Sequence, residues 1–276
     1  MFRPRQRRLR GLSFNRMLPN MLTMLALCAG LTALRYGLEG KWQPAIVSLV
    51  FAAIFDALDG RIARLLQGTS KFGAELDSLS DFIAFGVAPA VILYLWTMQT
   101  AGPVGWVPVL LFNVCMALRL ARFNTVMDDD DPPAWAKGYF TGVPAPAAAG
   151  LVMVPMVLWF QVEAEWLRQP LLVGAVIIVV ACLMVSKLPT YSFKNIRIQH
   201  RFVLAPMLGV GLLAALGVSA PWLTMTLIVA AYVATIPFSI RSYRRAEAEA
   251  RELATAADAP SDAPSDSPVA NDEAAE

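Results

Sequence analysis

The stretch FDALDGRIARLLQGTSKFGAELDSLSD, from Phe55 to Asp81, holds four aspartates at helical spacings. Asp56 and Asp59 are three apart, and Asp77 and Asp81 are four apart. At about 100° per residue each pair lies on one helix face, a turn apart. Gly60, Ala63 and Arg64 join the first pair within an arc of roughly 140°, and Gly73 precedes the second pair by a turn. If the polar turn QGTSK reverses the chain, two antiparallel helices aim two carboxylates each at one another. Carboxylates that close resist joint ionisation unless positive charge sits among them. Hard divalent cations, Mg²⁺ or Mn²⁺, meet that need and commonly bridge protein carboxylates to substrate phosphates. Gly60 and Ala63 keep the helix surface low for a bulky ligand, and Arg64 offers a planar donor fork suited to a phosphate oxygen. The competing reading has the acids merely pairing with Arg61, Arg64 and Lys71. It leaves more acid than those cations need.

The elements that position these residues are hydrophobic. Of 276 residues, 57% are hydrophobic and 16% charged, against about 25% charged in soluble domains. Mean hydropathy is +0.54. Charge at membrane depth costs roughly 2.5–3.5 kcal/mol per residue on insertion scales, so the aspartates mark function. Cys28, Cys115 and Cys182 each sit in an apolar run without CxxC spacing and read as small packing residues. His200, the single histidine, excludes a His-based metal cluster or a Ser-His-Asp triad.

Apolar runs predict spans at about 18–38, 43–66, 72–97, 104–123, 144–160, 171–186, 202–218 and 221–240, some near the ~20 residues a bilayer requires. The first is too long for a signal-peptide core and reads as a retained helix. Basic residues alternate between successive connections: the arginine-rich start, then Arg61, Arg64 and Lys71, then Arg119, Arg122 and Lys137, then Lys187–Arg201, then Arg241–Arg251. The intervening connections are poor in Lys and Arg, which predicts both termini and the aspartates on the cytoplasmic side. From about Arg251 the sequence turns to Ala, Pro, Ser and acid and reads as disordered. The expected fold is an all-α, polytopic membrane helical bundle of about eight transmembrane helices. Residues 1–17 form a basic segment, 18–241 a membrane-embedded catalytic domain and 242–276 a basic-then-acidic tail. The N-terminal arginines beside a spanning helix point to anionic lipid rather than nucleic acid. The acids of DDDDPP, at 128–133, do not converge on one helix face and read as a solvated loop.

The run Asp56-x2-Asp59-Gly60-x2-Ala63-Arg64-x8-Gly73-x3-Asp77-x3-Asp81 resembles the signature of the CDP-alcohol phosphotransferase family, with no position missing. The resemblance implies a membrane-embedded, commonly dimeric helical core with divalent metal held by Asp56, Asp59, Asp77 and Asp81. It implies that Gly60, Ala63, Arg64 and Gly73 help hold the CDP moiety, and that Asp81 takes the acceptor alcohol's proton. LPNMLTM, at 18–24, resembles the family's first-helix motif, making Asn20 and Thr23 nucleotide contacts. The implied reaction is attack of an alcohol oxygen on the lipid-bearing phosphorus of CDP-diacylglycerol, with CMP leaving and Mg²⁺ or Mn²⁺ neutralising the diphosphate.

Three further stretches, SDFIAFGVAPA, ALRLARFN and YFTGVPAPAAAG, resemble the phosphatidylserine synthase branch, and VSKLPTYSFKN resembles it more weakly. They make serine the expected acceptor, with glycerol 3-phosphate or inositol as the alternative. Arg119 and Arg122 end the fourth span level with the aspartates, where an arginine can clamp a carboxylate bidentately or simply anchor topology and headgroups. Asn124 is the third acceptor-side candidate. The Gly-Val-Pro-Ala-Pro run reads either as a kink lining a cavity or as a plain helix start. Lys187, Tyr191, Ser192, Lys194 and Asn195 are candidates for a lid or lipid-phosphate contact. The expected location is a bacterial cytoplasmic (inner) membrane with the site facing the cytoplasm. A cation transporter is the reading from another class, and the absence of a second aspartate set counts against it.

Overall fold

The computed structural model describes residues 14–66, 70–128, 139–186, 189–191 and 204–257. The start of the basic segment, most of DDDDPP, Lys187, Ser192, Lys194, Asn195 and the acidic tail lie outside them. Helix α1 spans Phe14–Leu38 and α2 spans Trp42–Leu65, packed side by side as a hairpin. Gly40 closes α1 at φ 71°, donating to Gly37 O at 3.1 Å, while Lys41 N reaches back to Tyr36 O at 2.9 Å. This paired closure needs a left-handed residue, which glycine supplies without a Cβ clash.

The third pass is one helix in three parts. Helix α3 covers Lys71–Asp81, a π segment covers Phe82–Val87, and α4 covers Ala88–Trp96. Ser70 caps α3, its hydroxyl accepting from Gly73 N at 3.0 Å. Pro89 has no N–H for the regular ladder, and the helix widens just before it, as π turns do. A 3₁₀ stretch, Met98–Gly105, turns at Gly102 into α5, Trp106–Asp128. The fifth pass breaks at Met153 into α6, Ala145–Val152, and α7, Val154–Val162, because Pro155 stands in the first turn after the break. Pro144 in extended conformation precedes α6 at its N-cap, two residues after Gly142 at φ 80°. Helix α8 spans Pro170–Val185, α9 Leu204–Ser219 and α10 Pro221–Ala257.

Two details depart from the sequence reading. Tyr139–Thr141 (β1) and Pro189–Tyr191 (β2) pair antiparallel, a short ladder in an otherwise helical chain. Helix α10 runs on to Ala257, through the basic cluster and past the point where composition reads as disorder. Among the described residues five helical stretches are long and apolar enough to cross a membrane: 17–38, 71–96, 98–125, 145–162 and 221–250. Three of the eight expected spans fall outside that set: α2, which carries Asp56, Asp59, Arg61 and Arg64, and the shorter apolar α8 and α9. The chain is an all-α membrane bundle.

Buried Ile46, Phe85, Ile92, Leu93, Phe112, Met116, Met156, Ile177 and Met184 form the core, while Leu110, Leu118, Leu212 and Leu227 remain exposed on outer faces. Small residues bring α1 against the π segment: a Cβ on Gly30 would lie 2.7 Å from Ala84 Cα. Close approach through glycine and alanine is the usual packing device between helices in lipid. Gly30→Ala is expected to destabilise the protein by about 1–3 kcal/mol through overpacking. Thermal unfolding of the detergent-purified variant checks this; an unchanged midpoint would mean the contact is loose.

Candidate active site

The candidate residues lie on four helices. Helix α1 contributes Asn20 and Thr23, α2 contributes Asp56, Asp59, Gly60, Ala63 and Arg64, α3 contributes Gly73, Asp77 and Asp81, and α5 contributes Arg119, Arg122 and Asn124. Ligand oxygens of Asp56, Asp59 and Asp77 all lie within 4.8 Å of one another. Asp81 stands outside this triangle, with its carboxyl facing that of Asp56. Helical periodicity brings four carboxylates together; three form the cluster, and Asp81 is hydrogen-bonded to one of them, Asp56.

Thr23 Oγ1 donates to Asp59 Oδ2 at 2.6 Å, and both residues are buried. Ser80 Oγ donates to Thr23 O at 3.2 Å, tying α3 to the same turn of α1. The nucleotide-contact candidate Thr23 is thus engaged with a carboxylate. Gly73 has a packing reason as well: an added Cβ would stand 2.9 Å from Asn20 Oδ1 and 3.1 Å from Ser70 Oγ. A Cβ on Gly60 would meet only Arg64 Nη1, at 3.8 Å, so the backbone there is open to a ligand. Arg64 itself is exposed.

The residues fit a divalent cation. Asp77 Oδ1 and Asp81 Oδ1 are buried and lack a hydrogen-bond partner, and every candidate ligand is a hard carboxylate oxygen. Buried polar atoms left unpaired cost about 1–3 kcal/mol each, so these oxygens call for a positive ligand.

The acceptor-side candidates divide. Asn124 and Ser78 exchange side-chain hydrogen bonds at 3.0 and 3.2 Å, joining α5 to α3. Arg122 Nη1 donates to Val185 O at 3.3 Å. Arg119 is half-buried within electrostatic reach of Asp81, and its Nε is buried without a partner. Tyr232, on α10, is its electrostatic neighbour, and its Oη is also buried and unpartnered. Sequence reasoning passed over Tyr232; the one available signal was a polar-tipped residue in the middle of the apolar run LIVAAYVAT. A separate cleft of about 390 Å³, lined by Lys41, Trp42, Trp159, Phe160 and Glu163 among others, opens beside the α1–α2 turn and contains none of these groups.

A membrane bundle that gathers three hard carboxylates and carries a half-buried arginine near them has the features of an integral-membrane enzyme acting on anionic substrates. The comparisons make the class specific. The family model described as CDP-alcohol phosphatidyltransferase matches residues 16–186, which contain every site residue from Asn20 to Asn124. A second, CDP-alcohol phosphatidyltransferase 2, matches 201–237. The CDP-diacylglycerol–serine O-phosphatidyltransferase of Mycobacterium leprae is 40% identical over 242 residues, covering 88% of this chain and 79% of that protein. The Helicobacter pylori protein of the same description is 37% identical over 180 residues, covering 65% and 73%. An archaetidylserine synthase of Methanothermobacter thermautotrophicus is 35% identical over 137 residues, covering 48% and 54%. The chain belongs to the CDP-alcohol phosphatidyltransferase family.

Groups that orient a metal-ligating carboxylate typically carry 10–100-fold in metal affinity. Thr23→Val is therefore expected to raise the Mn²⁺ concentration for half-maximal activity at least about tenfold, while Thr23→Ser restores it. Equal metal dependence in the wild type and the valine variant would release Thr23 from this role.

Proposed function

We propose that this protein transfers a phosphatidyl group from CDP-diacylglycerol to the hydroxyl of L-serine, giving phosphatidylserine and CMP. The observation that carries the reading is the convergence of Asp56, Asp59 and Asp77 with Asp81 set apart beside them. The serine acceptor rests on the descriptions of the relatives, two of which name serine and the third archaetidylserine.

In this reading Asp56, Asp59 and Asp77 hold Mg²⁺ or Mn²⁺, and when bound the cation neutralises the diphosphate and the charge gathering on the leaving CMP. Gly60 and Ala63 admit the nucleotide to the surface of α2, Arg64 meets a phosphate oxygen, and Asn20 and Gly73 line the α1–α3 side. Asp81 accepts the proton of the serine hydroxyl as the new oxygen–phosphorus bond forms and the bond to CMP breaks. Its place outside the triangle suits a base. Arg119 is the best placed of the three acceptor-side candidates to hold the serine carboxylate, because Arg122 and Asn124 already bond to protein groups. The alternation of basic connections supports a site facing the cytoplasm of a bacterial inner membrane. A homodimer belongs to the same proposal.

Detergent-purified full chain, CDP-diacylglycerol and Mn²⁺, with labelled serine, glycerol 3-phosphate or inositol in separate reactions, tests the whole reading. CMP release with lipid label from serine alone is expected. Label from another alcohol would overturn the acceptor, and no CMP from a folded preparation would overturn the transferase. Asp81→Asn is expected to lower kcat by about 10²–10⁴-fold, the range of a lost general base, with the KM for CDP-diacylglycerol little changed. A kcat within a few-fold of wild type would remove Asp81 as the base.

A further inference from the structure

We infer that Tyr232 is an acceptor-positioning residue, its hydroxyl completing with Arg119 the wall that receives the carboxylate of the amino-acid acceptor. The inference rests on the proposed function, and specifically on Arg119 as the carboxylate ligand. Among the described residues seven buried side-chain polar atoms lack a partner; four belong to Asp77, Asp81, Arg119 and Tyr232, and the others to Trp96, Asn113 and Trp159. Asp81 lies within electrostatic reach of Asp77 and Arg119, and Arg119 within that of Tyr232.

Natural proteins seldom leave buried hydroxyls and guanidinium N–H groups unpaired, so a run of them marks where a polar ligand completes the bonding. The atoms define that ligand's chemistry. At one end are carboxylate oxygens, which accept a hydroxyl proton. At the other are a guanidinium N–H and a phenol O–H, both donors that suit a carboxylate. An amino acid bearing a hydroxyl presents these two groups in that order, whereas inositol carries no carboxylate for the donor end.

Tyr232 is well supported for such a task. Its ring packs against the hydrophobic core, and α10 is fixed by packing against α6, α7 and β2. A rigid aromatic stem carrying one donor fixes where a substrate oxygen can sit.

The test is Tyr232→Phe in the full chain, which removes the oxygen and keeps the packed ring. CMP release is measured with serine varied at saturating CDP-diacylglycerol, and then with the two reversed. The expected result is a serine KM raised about tenfold, the loss of one hydrogen bond to a charged group, with the CDP-diacylglycerol KM within about twofold of wild type. Arg119→Lys is measured in parallel. A raised serine KM in Arg119→Lys with none in Tyr232→Phe would overturn the role of Tyr232 alone. An unchanged serine KM in both would overturn the arginine clamp on which it rests. Parallel rises in both KM values for Tyr232→Phe would show a general structural effect and sink the inference. So would failure to fold, because it would show the hydroxyl bound to protein instead of offered to substrate.

Discussion

Mutual repulsion among carboxylates is the constraint around which this protein is organised. Unit charges 4.8 Å apart repel by roughly 3–4 kcal/mol at an effective dielectric of 20, and Asp56, Asp59 and Asp77 have ligand oxygens no farther apart than that. Without a cation the folded chain must oppose this force by itself. The restraints lie where it acts. Thr23 holds Asp59 from α1, Ser80 ties α3 to the same turn, and Ser70 caps the helix that carries Asp77 and Asp81. Gly73 lets Asn20 come close enough for α1 and α3 to meet there. Two signature positions, Asp59 and Gly73, thus take part in holding the helices together where their charges push apart.

The end of the bundle beside the α1–α2 turn is locked by a different chemistry. The Arg168 guanidinium lies 5.7 Å from the Trp96 ring centre and 5.2 Å from that of Trp159, and it donates to Trp96 O at 3.3 Å. Thr97 Oγ1 donates to Arg168 O, and Glu39 bridges Arg35 and Lys41 at 2.9 and 2.8 Å. These contacts hold Arg168 within the protein, although Trp96 Nε1 and Trp159 Nε1 are buried without a partner. At the site end Thr23, Ser78 and Asn124 are paired, while Asp77 Oδ1, Asp81 Oδ1 and Arg119 Nε are not.

Much of this was legible from spacing. A helical period assigns Asp56 with Asp59, and Asp77 with Asp81, to common faces, and the structure brings the two faces together. Periodicity fixes angle within a helix but not the rotation and offset between two helices, so it could not tell the three clustered aspartates from the fourth. Thr23 shows the same limit. Its partner Asp59 lies 36 positions away, and no local pattern ties a hydroxyl to a carboxylate at that distance. Tyr232 was further out of reach because Arg119, which lies within its electrostatic reach, sits on α5, far away in sequence. Apolar runs found the five helical stretches long enough to cross a membrane among the described residues. The break at Met153, the β1–β2 ladder and the extension of α10 depend on backbone bonding that hydropathy does not encode.

The π segment shows how the site and the core coexist on one pass. Before it, α3 exposes Lys71, Phe72, Glu75 and Leu79, and Ser80 is its one buried residue. After it, α4 buries Ala88, Pro89, Ala90, Ile92, Leu93 and Trp96, nearly its whole circumference. An uninterrupted α-helix would carry the stripe of Asp77 and Asp81 straight on through Phe85 and Ala88. The wider i to i+5 turn, seen where Ala88 N bonds Ile83 O, adds a residue and resets the register between the two halves. The aspartates can then follow the demands of α2 while the residues beyond them follow the demands of the core. The chain makes that change of allegiance immediately after Asp81, where Gly30 leaves room for Ala84 and Pro89 already weakens the regular ladder.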